Sequence, residues 1–329
     1  MGQPRGCAVH SSGTVASADS ADKFVDAFQP PGTVAGYERR KSEGAPLSRH
    51  DEPNPSAPAV QRLRLRYAKR GKLRFTSHRD IARAFERALR RAGVPMAFSH
   101  GFSPHPKVSW VGAAPTGAAS EAEYVEIQVV REVDPMALRA ALDAALPPGI
   151  DVLEAVVAAG GSLPERIDAS RWRIEVPGVG ADQLAPAVTA LLAAGSVEVE
   201  RLTKDGRRTT DVRPGIVSIG LEPDTVDVIG PNLARSADDG TEPTTVCGIL
   251  DVVVRQATPA VRPDDVLSAL RVVAALMFPV PARAIRMAQG RLDDEGRLAD
   301  PLAPDRSPQS DPVVGEPEPG QPVVDRPAG

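Results

Sequence analysis

The stretch RLRLRYAKRGKLRFTSHRDIARAFERALRRAG, residues 62–93, holds two periodicities side by side. From Arg62 to Ala68 the residues alternate, with Leu63, Leu65 and Tyr67 on one face and Arg62, Arg64 and Arg66 on the other, as in a half-buried strand. From about His78 to Ala92 the apolar residues recur at helical spacing: Ile81, Phe85 and Leu89, joined by Ala84, Ala88 and Ala92. Ser77 stands as N-cap with Asp80 three residues on, the spacing of a capping box. Gly93 and Pro95 stop the helix. A strand followed by a capped helix opens a β-α unit.

The same order continues downstream. Val108–Val111 and Tyr124–Val130 read as strands, Asp134-Pro135 starts a second helix with Leu138, Leu142 and Leu146 inward, and Val152–Val157 closes the unit. That is β-α-β-β-α-β, the ferredoxin-like plan. A second copy is expected from a strand at Trp172–Val176, a helix over Asp182–Ala194 and a hairpin of Val197–Leu202 with Thr209–Arg213, turning at Asp205-Gly206. A strand at Cys247–Val254, a helix over Pro263–Leu276 and a final strand at Ala284–Met287 complete it. The expected fold is therefore α+β, two ferredoxin-like units made by duplication. The first covers 61–160; the second covers 168–289, with a loop insertion at 223–244. Residues 1–60 read as a disordered segment or an extension upstream of the true start, and 290–329 as a disordered Pro- and Asp-rich tail.

Composition removes several classes of function. No apolar run approaches the ~18 residues that span a membrane. Two cysteines, Cys7 and Cys247, cannot make a four-cysteine zinc site or hold an iron–sulfur cluster within the chain, and their scarcity fits a reducing, cytoplasmic setting. Cys247 opens an apolar run and reads as a small buried hydrophobe. Phosphate-binding, dinucleotide, zinc-protease and serine-hydrolase motifs are all lacking. No cofactor is expected.

Charge points to a working surface. The whole chain carries −4, yet residues 61–110 hold thirteen Lys or Arg against only Asp80 and Glu86; that segment is +11 and the remainder −15. Such a field attracts polyanions. Arg79, Arg83, Arg87 and Arg90 or Arg91 recur along the solvent face of the first helix, where like charges at this spacing repel by ~0.2–0.5 kcal/mol per pair. A run that costs stability in this way suits a track for phosphates. His78 sits at the first helical turn, where free N–H groups favour anions, and is the candidate general acid or base. The loop Ser99-His100-Gly101-Phe102-Ser103-Pro104-His105-Pro106-Lys107 offers two histidines, a lysine and a phenylalanine able to stack on a base. The candidate nucleic-acid-binding set is thus Arg74, His78, Arg79, Arg83, Arg87, Arg90, Arg91, His100, Phe102, His105 and Lys107. His78, His100 and His105 with Asp80 would suit a metal chemically, but their spacing matches no recognised metal motif and no metal is expected. Glu121 and Glu123 are candidate partners of the basic segment. Lys204-Asp205-Gly206-Arg207-Arg208 reads as a soluble basic turn.

Several separated motifs carry a resemblance: Leu73-Arg74-Phe75-Thr76-Ser77-His78-Arg79-Asp80, Arg87-Ala88-Leu89-Arg90-Arg91-Ala92-Gly93, Ser99 to Pro106, Ser120-Glu121-Ala122-Glu123-Tyr124 and Asp211-Val212-Arg213-Pro214. Over roughly 61–255 the chain resembles the bacterial radical SAM-linked family, a domain of unknown function found beside or fused behind a radical SAM protein. The resemblance implies an accessory or substrate-handling role, since this chain has no Cys triad. At position 100, where relatives more often carry Gln, stands His100. Three functions follow as expectations. The first is an accessory protein that binds tRNA or rRNA and assists a modification or processing enzyme. The second is a metal-independent ribonuclease using His78. The third is an interaction module for an acidic protein partner, its own acidic tails included.

Overall fold

The computed structural model describes residues 57–203, 206–222 and 246–306. The expectations for residues 1–56, for the 223–244 loop, for the Lys204-Asp205 turn and for residues 307–329 lie outside them.

The chain folds as a mixed α+β protein on one nine-stranded, mainly antiparallel sheet. Its first half runs β1 (Gln61–Lys69), α1 (His78–Arg91), β2 (Val108–Val111), β3 (Ala119–Val129), α2 (Pro135–Ala145) and β4 (Ile150–Val157). The strands lie in the order β4-β1-β3-β2, every neighbour antiparallel. The second half runs β5 (Ala169–Pro177), α3 (Ala181–Ala193), the hairpin β6 (Glu198–Thr203) and β7 (Gly206–Asp211), then β8 (Ile216–Leu221), β9 (Cys247–Arg255), α4 (Pro263–Ala274) and β10 (Arg283–Leu292). Its sheet order is β10-β5-β9-β8, again antiparallel throughout. The halves join where β3 and β10 pair in parallel, Ile285 opposite Ala119 and Arg286 opposite Ser120. The upstream end of β3 thus serves the second half, while Tyr124–Ile127 on the same strand hold β2.

Helix starts follow side-chain chemistry. Asp134 caps α2 by accepting from the backbone N–H groups of Met136 and Ala137 at 3.3 and 3.0 Å, with Pro135 at the first helical position. At α4 the Asp265 carboxylate reaches back to the Arg262 N–H at 2.6 Å. Leu63, Leu65, Tyr67, Val125 and Ile127 pack under α1 and α2, and Trp172, Ile174, Leu250 and Val252 belong to a second core with α3 and α4.

Two expectations need correction. The Val197–Arg213 hairpin does form, but as a separate two-stranded sheet, and β8 takes the expected place in the large sheet. Strand β8 was illegible because a register shift between Ile216 and Ser218 breaks its alternation. The hairpin meanwhile buries Val197 and Val199 in the second core and ties Arg201 to Asp265 at 2.6 Å, instead of adding to the large sheet. The fold also runs past residue 289, where the tail was expected to begin. Strand β10 reaches Leu292, β11 (Leu298–Ala299) pairs with it, and α5 (Ala303–Arg306) follows Leu302, which is fully buried.

Candidate nucleic-acid interface

Helix α1 forms as its sequence demands. The Ser77 hydroxyl accepts from the Asp80 N–H at 3.3 Å and donates to the Asp80 carboxylate at 2.7 Å. At the other end Gly93 takes a φ of 65°, and the N–H groups of Gly93 and Val94 return to the carbonyls of Arg90 and Leu89. Ile81, Ala84, Phe85, Ala88 and Leu89 are buried. Arg79, Arg83, Arg87, Arg90 and Arg91 therefore face solvent, with only Asp80 and Glu86 among them. Arg83 lies 3.6 Å from Asp80, and Arg91 donates to the Ala145 carbonyl at 3.2 Å.

The arginines of β1 behave differently, and the expectation of a solvent-facing row fails at its centre: Arg62 is exposed and Arg66 half-buried, both beside acids. Arg64 is fully buried. It donates to Glu126 at 2.9 Å, to both oxygens of Asp305 at 2.9 and 3.0 Å, and to the carbonyls of Gly160 and Gly161. Arg62 lies 3.7 Å from Glu126 and Arg66 3.8 Å from Glu154. Arg70 pairs with Glu121 and, at 2.9 Å, with Asp151. The cause is a covering layer: Leu163, Ile167 and Leu302 pack with Ala122 and Tyr124 on the sheet face opposite the helices. A guanidinium beneath such a layer persists only when paired.

Of the two glutamates expected to meet the basic segment, Glu121 does so through Arg70. Glu123 instead pairs with Arg286 of β10 and accepts from the Ala114 N–H at 3.0 Å. Lys69, buried beside them, donates to the carbonyls of Ala114 and Pro115 at 3.3 and 3.2 Å; burial pulls its ammonium below the usual lysine value, opposed by Glu123. Burial, with Glu123 adding to it, pushes the Tyr67 phenol up. This polar cluster joins the halves and was not foreseen. Cys247 is buried as expected, and burial pushes its thiol up.

His78 is exposed, its ring edge-on to Trp110 with centroids 5.2 Å apart, and Trp110 in turn meets Phe85 and Tyr67. Asp80 is engaged by Ser77 and Arg83, not by His78. Residues 96–107 form an arm on the edge of β3. Met96 bridges to Val129, Ala97 donates to the Gln128 carbonyl, and Lys107 donates to the Ala97 carbonyl. Ser99 and His105 close the tip, N–H to carbonyl at 2.8 Å and N–H to hydroxyl at 3.0 Å. Phe102 is 89 % exposed there, with His100 and His105 also exposed. Arg74 stacks on Phe75, guanidinium to ring centre 4.6 Å. Among the described residues no three His, Cys, Asp or Glu side chains come together as metal ligands.

Between the C-terminal half of α1 and the arm lies a cavity of about 480 Å³, walled by Leu89, Val94, Met96, Phe98, Pro106 and Val130, with Glu86, Arg90 and Arg131 also lining it. The sequence reading missed it; the one available signal was Met96 and Phe98 alternating beside a histidine loop.

Residues 62–263 match the family described as uncharacterized protein conserved in bacteria (DUF2344). The chain belongs to that family. Comparison with curated proteins finds no match. The DUF2344 span contains α1, the arm and the cavity between them, but stops short of Arg286 and Asp305. No helix among the described residues is long and apolar enough to cross a membrane.

Proposed function

We propose that this protein binds RNA through the arginine face of α1 and the adjoining 96–107 arm, and presents a tRNA or rRNA to a modification or processing enzyme. One observation carries the reading: acids on other strands and on α5 take up the cations of β1, while the five arginines of α1 have only Asp80 and Glu86 beside them. A clustered, uncompensated cationic face flanked by an exposed aromatic suits a phosphate backbone with a base stacked at its side. We further propose that each half is a ferredoxin-like unit, supported by the matching strand orders. The open sheet face that such units offer to single strands in other RNA binders is covered in the first half by Leu163, Ile167 and Leu302, which favours the helix side here. The radical SAM association implied by the sequence resemblance makes such a protein the proposed partner, with this chain handling substrate.

The test is fluorescence anisotropy with labelled tRNA and single-stranded RNA across a salt series. Affinity should fall by about 0.7 logarithmic units per phosphate contact for each tenfold rise in salt, and the Arg79→Glu/Arg83→Glu/Arg87→Glu variant should lose most of the binding and flatten that slope by about 2. Affinity indifferent to salt or to the triple reversal defeats the proposal. RNA incubated with the protein in EDTA should stay intact; cleavage abolished by His78→Ala would favour the ribonuclease instead.

A further inference from the structure

Resting on the reading of α1 as an RNA surface, we infer that the tip of the 96–107 arm is a stacking finger for an unpaired nucleotide, and that Phe102 is the residue that tells a single strand from a duplex. A row of arginines meets phosphates, and single and double strands both present them, so the row alone does not choose. The choice needs a group that meets a base. Only an unpaired base can be splayed out to offer its face to a side chain.

The arm is built to hold such a group in place. Its root is fixed to β3, where Ala97 donates to the Gln128 carbonyl at 2.8 Å and Gln128 to the Lys107 carbonyl at 3.1 Å. Lys107 closes back on the Ala97 carbonyl at 2.8 Å, so the two limbs run side by side, and Ser99 and His105 are joined twice nearer the tip. Gly101 takes a φ of 113° in the turn, and a Cβ on it would meet nothing within 4 Å; the position needs glycine for its backbone, not for room. Pro104 and Pro106 fix the returning limb. A side chain carried on such a tip is ordered before a ligand arrives, which lowers the cost of binding. That side chain is Phe102, 89 % exposed. No acid lies between Met96 and Lys107, and the polar company of the ring is His100, His105 and Lys107. A bare ring among donors, with no carboxylate in the arm, suits a nucleotide, whose base stacks while its phosphates meet the donors. Leu89 and Arg90 of α1 and Met96 and Pro106 of the arm wall one cavity, so the finger rises beside the C-terminal half of the arginine row. A strand with its phosphates on that row can place an unpaired base on the ring.

The experiment uses the full chain, a labelled unstructured RNA strand, and the same strand annealed to its complement. Phe102→Ala should weaken the single strand about tenfold, as loss of one base–aromatic stack does. The duplex should weaken by less than about twofold, because its paired bases keep their faces in the stack. The slope of log affinity against log salt should not change for either RNA, since no charge is removed. Phe102→Trp should bring the single strand back to within about twofold of the unaltered protein. Thermal melting checks that both variants fold, and an exposed ring should leave the midpoint where it is. Unchanged single-strand affinity in Phe102→Ala overturns the finger and leaves the arginine surface standing. An equal loss for strand and duplex also overturns it, because the ring would then be a general contact that tells nothing apart. Failure of both RNAs to bind at low salt overturns the RNA reading itself, and this inference with it.

Discussion

Strand β1 and helix α1 are both rich in cations, yet the strand pairs Arg62, Arg64 and Arg66 with acids and buries Arg64, while the helix leaves its arginines exposed with only Asp80 and Glu86 among them. On β1 the arginines fall every second residue and so share one sheet face; on α1 they fall every third or fourth residue and share one helix face. The helix face meets solvent. The strand face meets a second layer, built from the chain between the halves and from the segment around Leu302 and Asp305. Beneath that layer Arg64 needs acids on both sides, while Arg62 at its margin stays exposed beside Glu126. A net charge counted along the sequence is therefore not a surface charge; the fold decides how much of it remains available to a ligand.

The largest expected effect breaks the comparison at its buried end. Asp305 accepts from Arg64, from Arg166 at 2.8 Å and from the Ala159 N–H at 2.8 Å, and its side chain is fully buried. Asp305→Ala or Arg64→Ala strands a buried charge and should cost about 3–5 kcal/mol in urea unfolding. Arg79→Ala and Arg87→Ala, exposed on α1, should each change stability by no more than about 0.5 kcal/mol. Equal costs at the two places would mean that the covering segment does not seal β1 as described.

This difference also explains what could be read beforehand. The cap at Ser77, the apolar stripe from Ile81 to Leu89, the stop at Gly93 and the alternation of β1 were legible because each is written within a few neighbouring residues. The candidate arginines of α1 do face outward, and Phe102 does stand exposed at a loop tip. The partners of Arg64 were not legible: Asp305 lies 241 positions away, and no local period announces it. The same holds for Glu123, whose neighbour across the sheet comes from β10. Glu86 looked like partial relief of an arginine row, and only the arm folding back along α1 gives it a cavity to line.

A smaller effect sharpens the comparison on the helix side. Ser77 holds the first turn of α1 in the register that places Arg79 and Arg83 outward, and Ser77→Ala removes the acceptor of the Asp80 N–H. The expected loss is about 1 kcal/mol in urea unfolding. RNA affinity should fall less than twofold, because Arg87, Arg90 and Arg91 lie several turns from the cap, where fraying does not reach. A tenfold loss of affinity with unchanged stability would instead place the ligand on the first turn itself, beside His78.

The smallest effect concerns an acid that, like the arginines of α1, stays exposed. Asp211 closes the base of the β6–β7 hairpin by accepting from the N–H groups of Val197 at 2.9 Å and Arg213 at 3.0 Å. The Val197 contact is the main reason its carboxyl is held below the usual value. A depressed carboxyl pKa contributes stability that is present above the unfolded-state value and is lost as pH falls through the folded-state value. Asp211→Asn keeps an acceptor but cannot titrate. The variant should therefore be less stable than the parent at neutral pH by a few tenths of a kcal/mol, a small figure because water screens an exposed group. That gap should close as the pH is lowered to about 3, followed by urea midpoints at each pH. A gap that widens in acid, or one as large as the buried Asp305 shows, would mean that exposure does not set the worth of a charge in this protein.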